Sequence, residues 1–296
     1  SIDLYGSFGP KKFPDQIKPI FLFFFVLIMV LEILRFIIFW VNANLTVSTS
    51  GNSGMIKNKF KNLKSISSNT KGRLVKKVFN DVSKNYDKMN DILSFGLHRV
   101  WKKLIFDFIK PHENENFMDL AGGSGDISKM IKLKFPKNKC ILVDSNVKMI
   151  NEAKIKLKEY DIDYVCAEAE FLPFKQDNFN NILLAFGLRN FSCIDKSLKE
   201  INRVLKKRGR FVCLEFSEIN RRSLKKIFNL YSSIVPSLGL VFAKNMSAYS
   251  YLIESIKIFP NQMELTKKLK DAGFKNIDCY DLFDGLASIH IGEKKG

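Results

Sequence analysis

Histidine and cysteine are scarce in this chain of 296 residues, which has only three of the first and five of the second. No two cysteines have the C-x-x-C spacing that is typical of zinc sites and redox motifs. Two of them, Cys140 and Cys213, lie in apolar runs that predict core strands. We therefore expect all five thiols to be reduced, in a reducing compartment, and we expect no metal site.

Acidic residues are absent from a long stretch near the start of the chain. No aspartate or glutamate occurs between Ile33 and Asn80, whereas lysine and arginine recur from Lys57 to Lys77. An acid-poor, basic leader that contains serine is typical of organelle import. The same composition is also typical of a disordered basic linker, so both interpretations stay open.

An apolar run, Ile20–Trp40, overlaps the start of this acid-free stretch, and its only charges are Glu32 and Arg35. Its length suits a membrane-spanning helix of about 20 residues, while its first half also suits the core of a signal peptide. We assign residues 1–69 to an N-terminal targeting or anchoring segment with a basic linker. We assign residues 70–296 to one folded domain, which carries the motifs described next.

A glycine-rich motif, F-M-D-L-A-G-G-S-G-D at Phe117–Asp126, directly follows an apolar run. Glycines let a ligand approach the backbone closely because they have no Cβ. Asp144 ends the next apolar run, C-I-L-V-D, and an acid at that position can accept hydrogen bonds from both hydroxyls of a ribose. The pattern therefore predicts a nucleoside-cofactor pocket at the carboxyl ends of parallel strands.

The order of acids and glycines distinguishes between two cofactors. Dinucleotide sites use G-x-G-x-x-G and place a pyrophosphate at a helix N-terminus. Here Asp119 precedes the glycines and Asp126 follows them, and these two carboxylates would repel a diphosphate. S-adenosylmethionine has no phosphate, and carboxylates suit its sulfonium and ammonium groups. We therefore expect S-adenosylmethionine as the cofactor and S-adenosylhomocysteine as its product.

The segments after the motif alternate between helix and strand patterns. The predicted helices are Ile127–Phe135, Lys148–Tyr160 and Asp195–Val204. The predicted strands are Lys139–Val143, Asp163–Ala167, Asn180–Phe186 and Arg210–Glu215. This alternation predicts an α/β fold with a Rossmann-like, doubly wound parallel sheet.

Five blocks of sequence are more specific than the glycine motif. They are Y-D-K-M-N-D-I-L-S-F-G-L-H-R-V-W-K-K (86–103), M-D-L-A-G-G-S-G-D (118–126), A-F-G-L-R-N (185–190), R-V-L-K-K-R-G-R-F-V-C-L-E-F-S (203–217) and Y-L-I-E-S-I-K-I-F-P (251–260). Through these blocks the chain resembles the UbiE/COQ5 family of quinone-biosynthesis C-methyltransferases. The resemblance implies a class I methyltransferase fold with a helical cover. It also implies methyl transfer from S-adenosylmethionine to a ring carbon of a polyprenylated quinol.

The resemblance carries a cofactor site over to this chain, with three departures from the family pattern. Ser124 replaces the usual threonine and keeps its hydroxyl, Glu168 replaces asparagine or aspartate beside the adenine, and Ala185 replaces a serine of some members. None of these removes a group that the reaction needs. The implied cofactor-binding residues are Asp119, Gly122, Gly123, Ser124, Gly125, Asp144, Glu168, Ala169 and Ala185.

The acceptor side of the family site falls on Tyr86, Arg189 and Asn190. A guanidinium stays protonated in proteins, so Arg189 is a poor general base. We expect Arg189 to stabilise a phenolate or to orient a water that takes the proton, Asn190 to orient a quinol oxygen, and Tyr86 to close over the pocket. His98 is expected to be a surface or capping residue rather than the base.

An apolar and aromatic segment, 221–242, and its continuation at 249–259 suit a cover for a polyprenyl tail, although core packing would produce the same pattern. The net charge is +18, from 48 basic and 30 acidic side chains. We expect this charge to meet anionic lipid head groups at a membrane surface. We expect no nucleic-acid partner, because no RNA-binding signature is present and the leader is more lopsided in charge than the rest.

As a member of this family, the protein is expected to methylate a polyprenylated 2-methoxy-1,4-benzoquinol in ubiquinone (coenzyme Q) biosynthesis. A demethylmenaquinol methyltransferase and a non-catalytic scaffold subunit of a quinone-biosynthesis complex remain the alternatives. The resemblance to mitochondrial members implies a peripheral position on the matrix side of the mitochondrial inner membrane. Its implied partners are other coenzyme Q biosynthesis proteins in a multi-subunit complex, and a homodimer is a further form of assembly.

Overall fold

The computed structural model describes residues 11–12, 68–82, 91, 96–109, 111–226, 228–229 and 246–296. They belong to two compact units. The described residues of the first lie within Ser1–Phe13, Arg99–Glu218 and Phe259–Gly296, and those of the second lie within Pro14–His98 and Ile219–Ile258. The predicted apolar run Ile20–Trp40 and most of the basic leader lie outside the described residues.

The first unit is built on one sheet, in the strand order β4-β3-β2-β5-β6-β8-β7-β1. Every neighbouring pair is parallel except that β8 runs antiparallel to both β6 and β7. The strands are β1 (Lys11–Lys12), β2 (Asn116–Leu120), β3 (Lys139–Asp144), β4 (Asp163–Cys166), β5 (Phe179–Ala185), β6 (Leu205–Phe216), β7 (Phe274–Leu282) and β8 (Ala287–Lys294).

The helices of the described residues connect these strands or belong to the second unit. They are α1 (Ser68–Val82), α2 (Leu97–Leu104), α3 (Asp126–Lys134), α4 (Val147–Lys156), α5 (Ile194–Val204), α6 (Met246–Ile258) and α7 (Gln262–Asp271). Short 3-10 turns occur at Ile105–Phe108, Leu188–Asn190 and Phe283–Gly285. The helix α7 begins with a complete capping box, in which Asn261 and Glu264 each accept the other's backbone N–H.

Helices cover the sheet on both faces, which explains why the central strands are apolar along their whole length. Met118 and Leu120 of β2 belong to the core that includes Leu198 of α5 and Leu265 of α7. The alternate residue Asp119 points to the opposite face, where it accepts hydrogen bonds from α3. The carboxyl ends of β2, β3, β5 and β6 therefore meet at one edge of a doubly covered sheet, which is where the motifs lie.

The predicted doubly wound fold is confirmed, and its elements agree with the structure to within a few residues, with three differences. The sheet is mixed rather than wholly parallel, because a tight turn at Phe283–Gly285 returns the chain antiparallel. The helix α4 ends at Lys156 instead of Tyr160. The strand β6 begins at Leu205 instead of Arg210, since Leu205 already pairs with Phe179 and the K-K-R-G segment forms a bulge between two paired parts.

In the second unit, α1 and α6 contact each other. Tyr251, Leu252 and Ile253 of α6 are buried. This burial is what ordinary core packing of the apolar segment 249–259 would produce. Residues 230–245, the centre of that predicted cover, lie outside the described residues. In the part of the chain that the structure describes, no helix combines the length and apolar character that a membrane crossing needs.

All five cysteines are free thiols, as predicted, and Cys140 and Cys213 are buried in strands β3 and β6. Among the described residues, no group of three or more histidine, cysteine or acidic side chains is arranged to hold a metal ion.

Candidate active site

The glycine-rich loop leaves β2 in an unusual backbone conformation. Ala121 has a φ of 53°, Gly123 has a φ of 56° and Gly125 has a φ of 86°, so three of five successive residues are left-handed. Glycine adopts this region without cost, whereas alanine is strained there. The strain at Ala121 lies where the loop turns from the strand towards α3, which is the position expected for a loop shaped by its function.

Two of the loop glycines are required by lack of space. A Cβ built on Gly122 would lie 2.6 Å from Cγ of Leu142 and 2.9 Å from Oδ2 of Asp119, and one built on Gly125 would overlap Leu157. The loop is thus pressed against Leu142 and Leu157, and its three glycines leave that part of the backbone without side chains. This is the cradle that a nucleoside cofactor needs when it lies directly on the chain.

Asp119 lies beneath the loop rather than on its surface, and it is almost fully buried. Its Oδ2 accepts hydrogen bonds from Ser128 N at 2.9 Å and from Ser128 Oγ at 2.7 Å. Burial raises the pKa of Asp119 to about 7, although the hydrogen bonds from Ser128 act in the opposite direction. Asp119 therefore ties the end of β2 to the first turn of α3 and holds the loop between them.

Asp126, the acid after the glycines, is neutralised by two lysines. Its Oδ2 lies 2.9 Å from Nζ of Lys102, and its Oδ1 lies 2.7 Å from Nζ of Lys156. Burial acts to raise the pKa of Asp126, but the two ammonium groups outweigh it and hold the pKa below its usual range. The charge argument from the sequence was therefore incomplete, because Asp126 does not present an unpaired carboxylate to the cofactor. The glycine cradle and Asp144 are therefore the features that favour S-adenosylmethionine as the cofactor.

Asp144 ends β3 beside the loop and is held in place by backbone donors. Its Oδ2 accepts from Gly123 N at 2.9 Å, and its Oδ1 accepts from Asn146 N at 2.8 Å. Burial raises its pKa, and these backbone hydrogen bonds oppose the shift. Each carboxylate oxygen can accept more than one hydrogen bond. The residue is partly exposed, and the two oxygens can each accept a further hydrogen bond from a ribose hydroxyl.

The segment after β4 contains Glu168, which is exposed, and Ala169, which is buried. Two residues of α5 hold the chain that follows. Glu200 accepts from Leu172 N at 3.1 Å, and Arg203 donates to the carbonyls of Leu172 at 2.9 Å and Phe174 at 2.8 Å. The same two side chains form a bidentate ion pair. We call residues 168–174 the adenine loop, because the resemblance predicts that its first two residues, Glu168 and Ala169, lie beside the adenine.

Arg189 lies in the 3-10 turn after β5 and is buried. Its Nη1 donates to Glu215 Oε1 at 2.7 Å and also to the carbonyl of Phe186. The guanidinium carbon lies 5.4 Å from the centre of the Phe216 ring. The charge is therefore paired with a carboxylate at one edge and packed against an aromatic ring on one face.

The start of this turn contacts the glycine loop. Phe186 has a left-handed φ of 59°, and a Cβ built on Gly187 would lie 2.6 Å from Cβ of Ala121. Asn190 donates to the carbonyl of Phe186 at 3.5 Å and is partly exposed, as is Ala185 at the end of β5. The cofactor loop and the predicted acceptor turn are thus adjacent, and each strained residue sits at the end of its strand.

Tyr86 and His98 were also singled out by the sequence. Tyr86 lies outside the described residues. His98 is almost fully buried, with its Nε2 3.7 Å from Oδ1 of Asp91. Of the expected surface or capping positions, the surface position was therefore wrong. The position at the start of α2 explains the error, because a short stretch with many charges does not reveal which of its residues face inward.

Five residues of the site were not predicted. Ser128, Lys102, Glu200, Arg203 and Glu215 each hold a functional segment, yet none lies in a pattern that specifies its partner. Three of them, Lys102, Arg203 and Glu215, fall within the sequence blocks that resemble the family, but nothing in those blocks indicates which residues their partners are.

The glycine cradle, the strand-end acid Asp144 and the doubly wound sheet with an antiparallel last strand define a class I methyltransferase that uses S-adenosylmethionine. The model of the ubiE/COQ5 methyltransferase family matches residues 65–294. The chain belongs to this family and is a C-methyltransferase of ubiquinone/menaquinone biosynthesis.

Individual relatives agree with this assignment. The chain is 40% identical over 242 residues to the UbiE C-methyltransferase of Rickettsia bellii, which covers 78% of this chain and 96% of that protein. It is 37% identical over 247 residues to the UbiE of a Shewanella species, which covers 81% and 98%.

Solved structures agree with the fold. A Haloferax volcanii methyltransferase in complex with the Trm112 activator matches with a TM-score of 0.55 at 15% identity, over 74% of this chain and 98% of the other. A Haemonchus contortus N-methyltransferase bound to phosphomonomethylethanolamine and S-adenosylhomocysteine matches with a TM-score of 0.54 at 13% identity, over 74% and 60%.

Proposed function

We propose that this C-methyltransferase acts on a polyprenylated 2-methoxy-1,4-benzoquinol and takes part in ubiquinone biosynthesis. The observation that carries the proposal is the contact between the cofactor loop and the F-G-L-R-N turn, where Gly187 lies against Ala121. A quinol oxygen held at Arg189 would have its ring beside the methyl donor. Positioning of that kind is the main requirement for methyl transfer to carbon.

S-adenosylmethionine supplies an electrophilic methyl group when it is bound. The cradle of Gly122, Gly123 and Gly125 and the carboxylate of Asp144 would hold the nucleoside, and these residues fit it because bare backbone and a half-buried strand-end acid are both present. Arg189 would stabilise the phenolate that makes the ring carbon nucleophilic. Asn190 would orient the same oxygen.

The choice of a benzoquinol over a naphthoquinol rests on the leader. An acid-free, basic N-terminal stretch suits import into an organelle, and the organellar members of the resembled family are mitochondrial. We therefore place the protein on the matrix side of the mitochondrial inner membrane, in contact with anionic lipids and with other coenzyme Q biosynthesis proteins.

Quinone analysis of cells that lack this protein tests the substrate. Mass spectrometry should show loss of ubiquinone and accumulation of the 2-methoxy-benzoquinol form without the ring methyl group. Accumulation of demethylmenaquinone instead would assign the naphthoquinol reaction. A scaffold role would give a different pair of results. Cells that lack the protein would lose the quinone, whereas cells that carry a cofactor-site variant such as Asp144→Ala would keep normal quinone levels.

Fluorescent fusions test the location separately. The full chain should reach mitochondria, whereas a chain without residues 1–67, which keeps α1 from Ser68 onward, should not. If both forms have the same distribution, the leader does not direct the protein to its compartment.

A further inference from the structure

Glu215 has no role assigned to it in the reaction, yet its contacts are concentrated on Arg189. It is the penultimate residue of β6, at the carboxyl edge of the sheet, and its side chain is fully buried. Its Oε1 accepts from Arg189 Nη1 at 2.7 Å, and its Oε2 accepts from the backbone N–H of Arg189 at 3.2 Å. One carboxylate therefore accepts hydrogen bonds from both the side chain and the main chain of the same residue.

A backbone hydrogen bond and an aromatic ring further restrict this ion pair. The backbone N–H of Phe216 donates to Oε1 at 2.9 Å, which fixes the carboxylate itself. The ring of Phe216 lies under the guanidinium and packs against Phe186 at 4.8 Å and Trp101 at 6.3 Å between ring centres. A guanidinium is planar, so a bond at one edge and a ring at one face leave it little freedom to rotate.

Burial makes this arrangement sensitive to either partner. A buried charge that loses its partner becomes costly to keep in place, whereas replacement of both charges by neutral groups is far better tolerated. Arg189 would therefore not remain in its present orientation without Glu215. The orientation matters because a displacement of about 1 Å can reduce a rate by on the order of 10²-fold.

We propose that Glu215 is a positioning residue of the methyl transfer, which acts only through Arg189. The inference rests on the proposed function, in which Arg189 faces the quinol oxygen. Glu215 touches neither cofactor nor substrate in this account. Its task is to hold the guanidinium at one angle and to balance its charge, so that the acceptor turn keeps its shape between catalytic cycles.

A double-mutant cycle in the full-length protein separates this role from a general structural one. The variants are Glu215→Gln, Arg189→Gln and the two together, with kcat and KM measured on a short-tailed benzoquinol. The affinity for S-adenosylmethionine, measured by calorimetry, reports whether the cofactor side is intact. Glu293→Gln is the control, because Glu293 of β8 accepts from Arg210 of β6 at 3.1 Å, five residues along β6 from Glu215.

We expect Glu215→Gln to lower kcat by on the order of 10²-fold while cofactor affinity stays unchanged. The double variant should be no slower than Arg189→Gln alone, and the control should match the parent protein. Multiplicative losses in the double variant would overturn the proposal, because they would mean that Glu215 acts independently of Arg189. Full turnover of Glu215→Gln would overturn it as well.

Two further results keep the test decisive. If Glu215→Gln loses cofactor binding, Glu215→Asp takes its place in the cycle, since aspartate keeps the balancing charge and withdraws it by one methylene. Near-normal turnover of Arg189→Gln would instead refute the proposed function of Arg189, and with it the basis of the inference. If Arg189→Gln is slow and the double variant shows multiplicative losses, the inference about Glu215 is refuted and the proposed function of Arg189 stands.

Discussion

The backbone N–H of Gly123 donates to Oδ2 of Asp144 at 2.9 Å, which joins the glycine loop of one strand to the strand-end acid of its neighbour. The two parts of the cofactor site are thus a single hydrogen-bonded unit. A residue change in either strand end is expected to disturb both the backbone cradle and the position of the carboxylate.

Asp144→Ala should weaken binding of S-adenosylmethionine by roughly 1–3 kcal/mol, because it removes charged hydrogen bonds to the ribose and releases Gly123. Isothermal titration calorimetry measures the effect directly. Asp177→Asn is the control, since Asp177 is an exposed aspartate whose partner is Lys294, outside the site, and asparagine tolerates its left-handed φ of 56°. Equal affinity in Asp144→Ala and the parent protein would remove the ribose assignment.

Gly187→Ala should destabilise the protein by about 1–3 kcal/mol and weaken cofactor binding, because the new Cβ would lie 2.6 Å from Cβ of Ala121. The backbone of Gly187 is not left-handed, with a φ of −108°, so crowding alone accounts for the effect. Ala121→Gly should restore both properties in the double variant, since it removes the clash and relieves a φ of 53°. A double variant as weak as Gly187→Ala would show that the two loops are not in contact.

Asp119 predicts a pH dependence of stability with a definite sign. Its folded-state pKa of about 7 lies above its unfolded value, so the folded state binds more protons between about pH 4 and 7. This group therefore lowers the free energy of unfolding as the pH rises through that window, with no further change above it. Asp126 has the opposite shift and loses stability only as the pH falls below its unfolded pKa.

Asp119→Asn tests this sign, because the amide oxygen can still accept from Ser128. The variant should be more stable than the parent protein by a few kcal/mol at pH 8, and the difference should vanish near pH 4. Denaturant titrations at several pH values measure it. A constant difference across the range would mean that Asp119 does not titrate there.

Arg203→Met should clearly weaken the affinity for S-adenosylmethionine and change the midpoint temperature of unfolding only a little. The reason is that Arg203 donates to the carbonyls of Leu172 and Phe174 in the adenine loop. Each lost hydrogen bond to a charged group is worth roughly 1.5–3 kcal/mol before solvent screening reduces it. Arg210→Met is a close control, since Arg210 is similarly exposed and also pairs with a glutamate. Equal changes of affinity in the two variants would count against a role for the adenine loop.

The sequence predicted those features that depend on neighbouring residues. The glycine loop and Asp144 were evident because their residue types are required within a few positions, and the alternation of helix and strand fixed the sheet. The antiparallel β8 was missed because its direction depends on a turn with left-handed Asp284 and Gly285, whose conformation no periodicity reveals.

The partners of the functional residues were missed for a different reason. Glu215 and Arg189 are 26 residues apart, and Lys102 and Asp126 are 24 apart, so only the strand order brings them together. A charged residue in an apolar strand such as C-L-E-F signals a buried partner, but it does not identify that partner. Sequence reasoning therefore yielded the residues proposed to contact the ligand and omitted those that hold them in place.

We propose that this chain transfers a methyl group from S-adenosylmethionine to a ring carbon of a benzoquinol, with Arg189 on the acceptor side. Incubation of the purified protein with methyl-deuterated S-adenosylmethionine and a short-tailed 2-methoxy-1,4-benzoquinol, followed by mass spectrometry and NMR of the product, tests it directly. We expect a deuterated methyl group on the ring carbon, and a loss of about 10²–10³-fold in turnover for Arg189→Leu at unchanged cofactor affinity. Label on a quinol oxygen, no transfer of label to the benzoquinol, or full turnover of Arg189→Leu would refute this proposal.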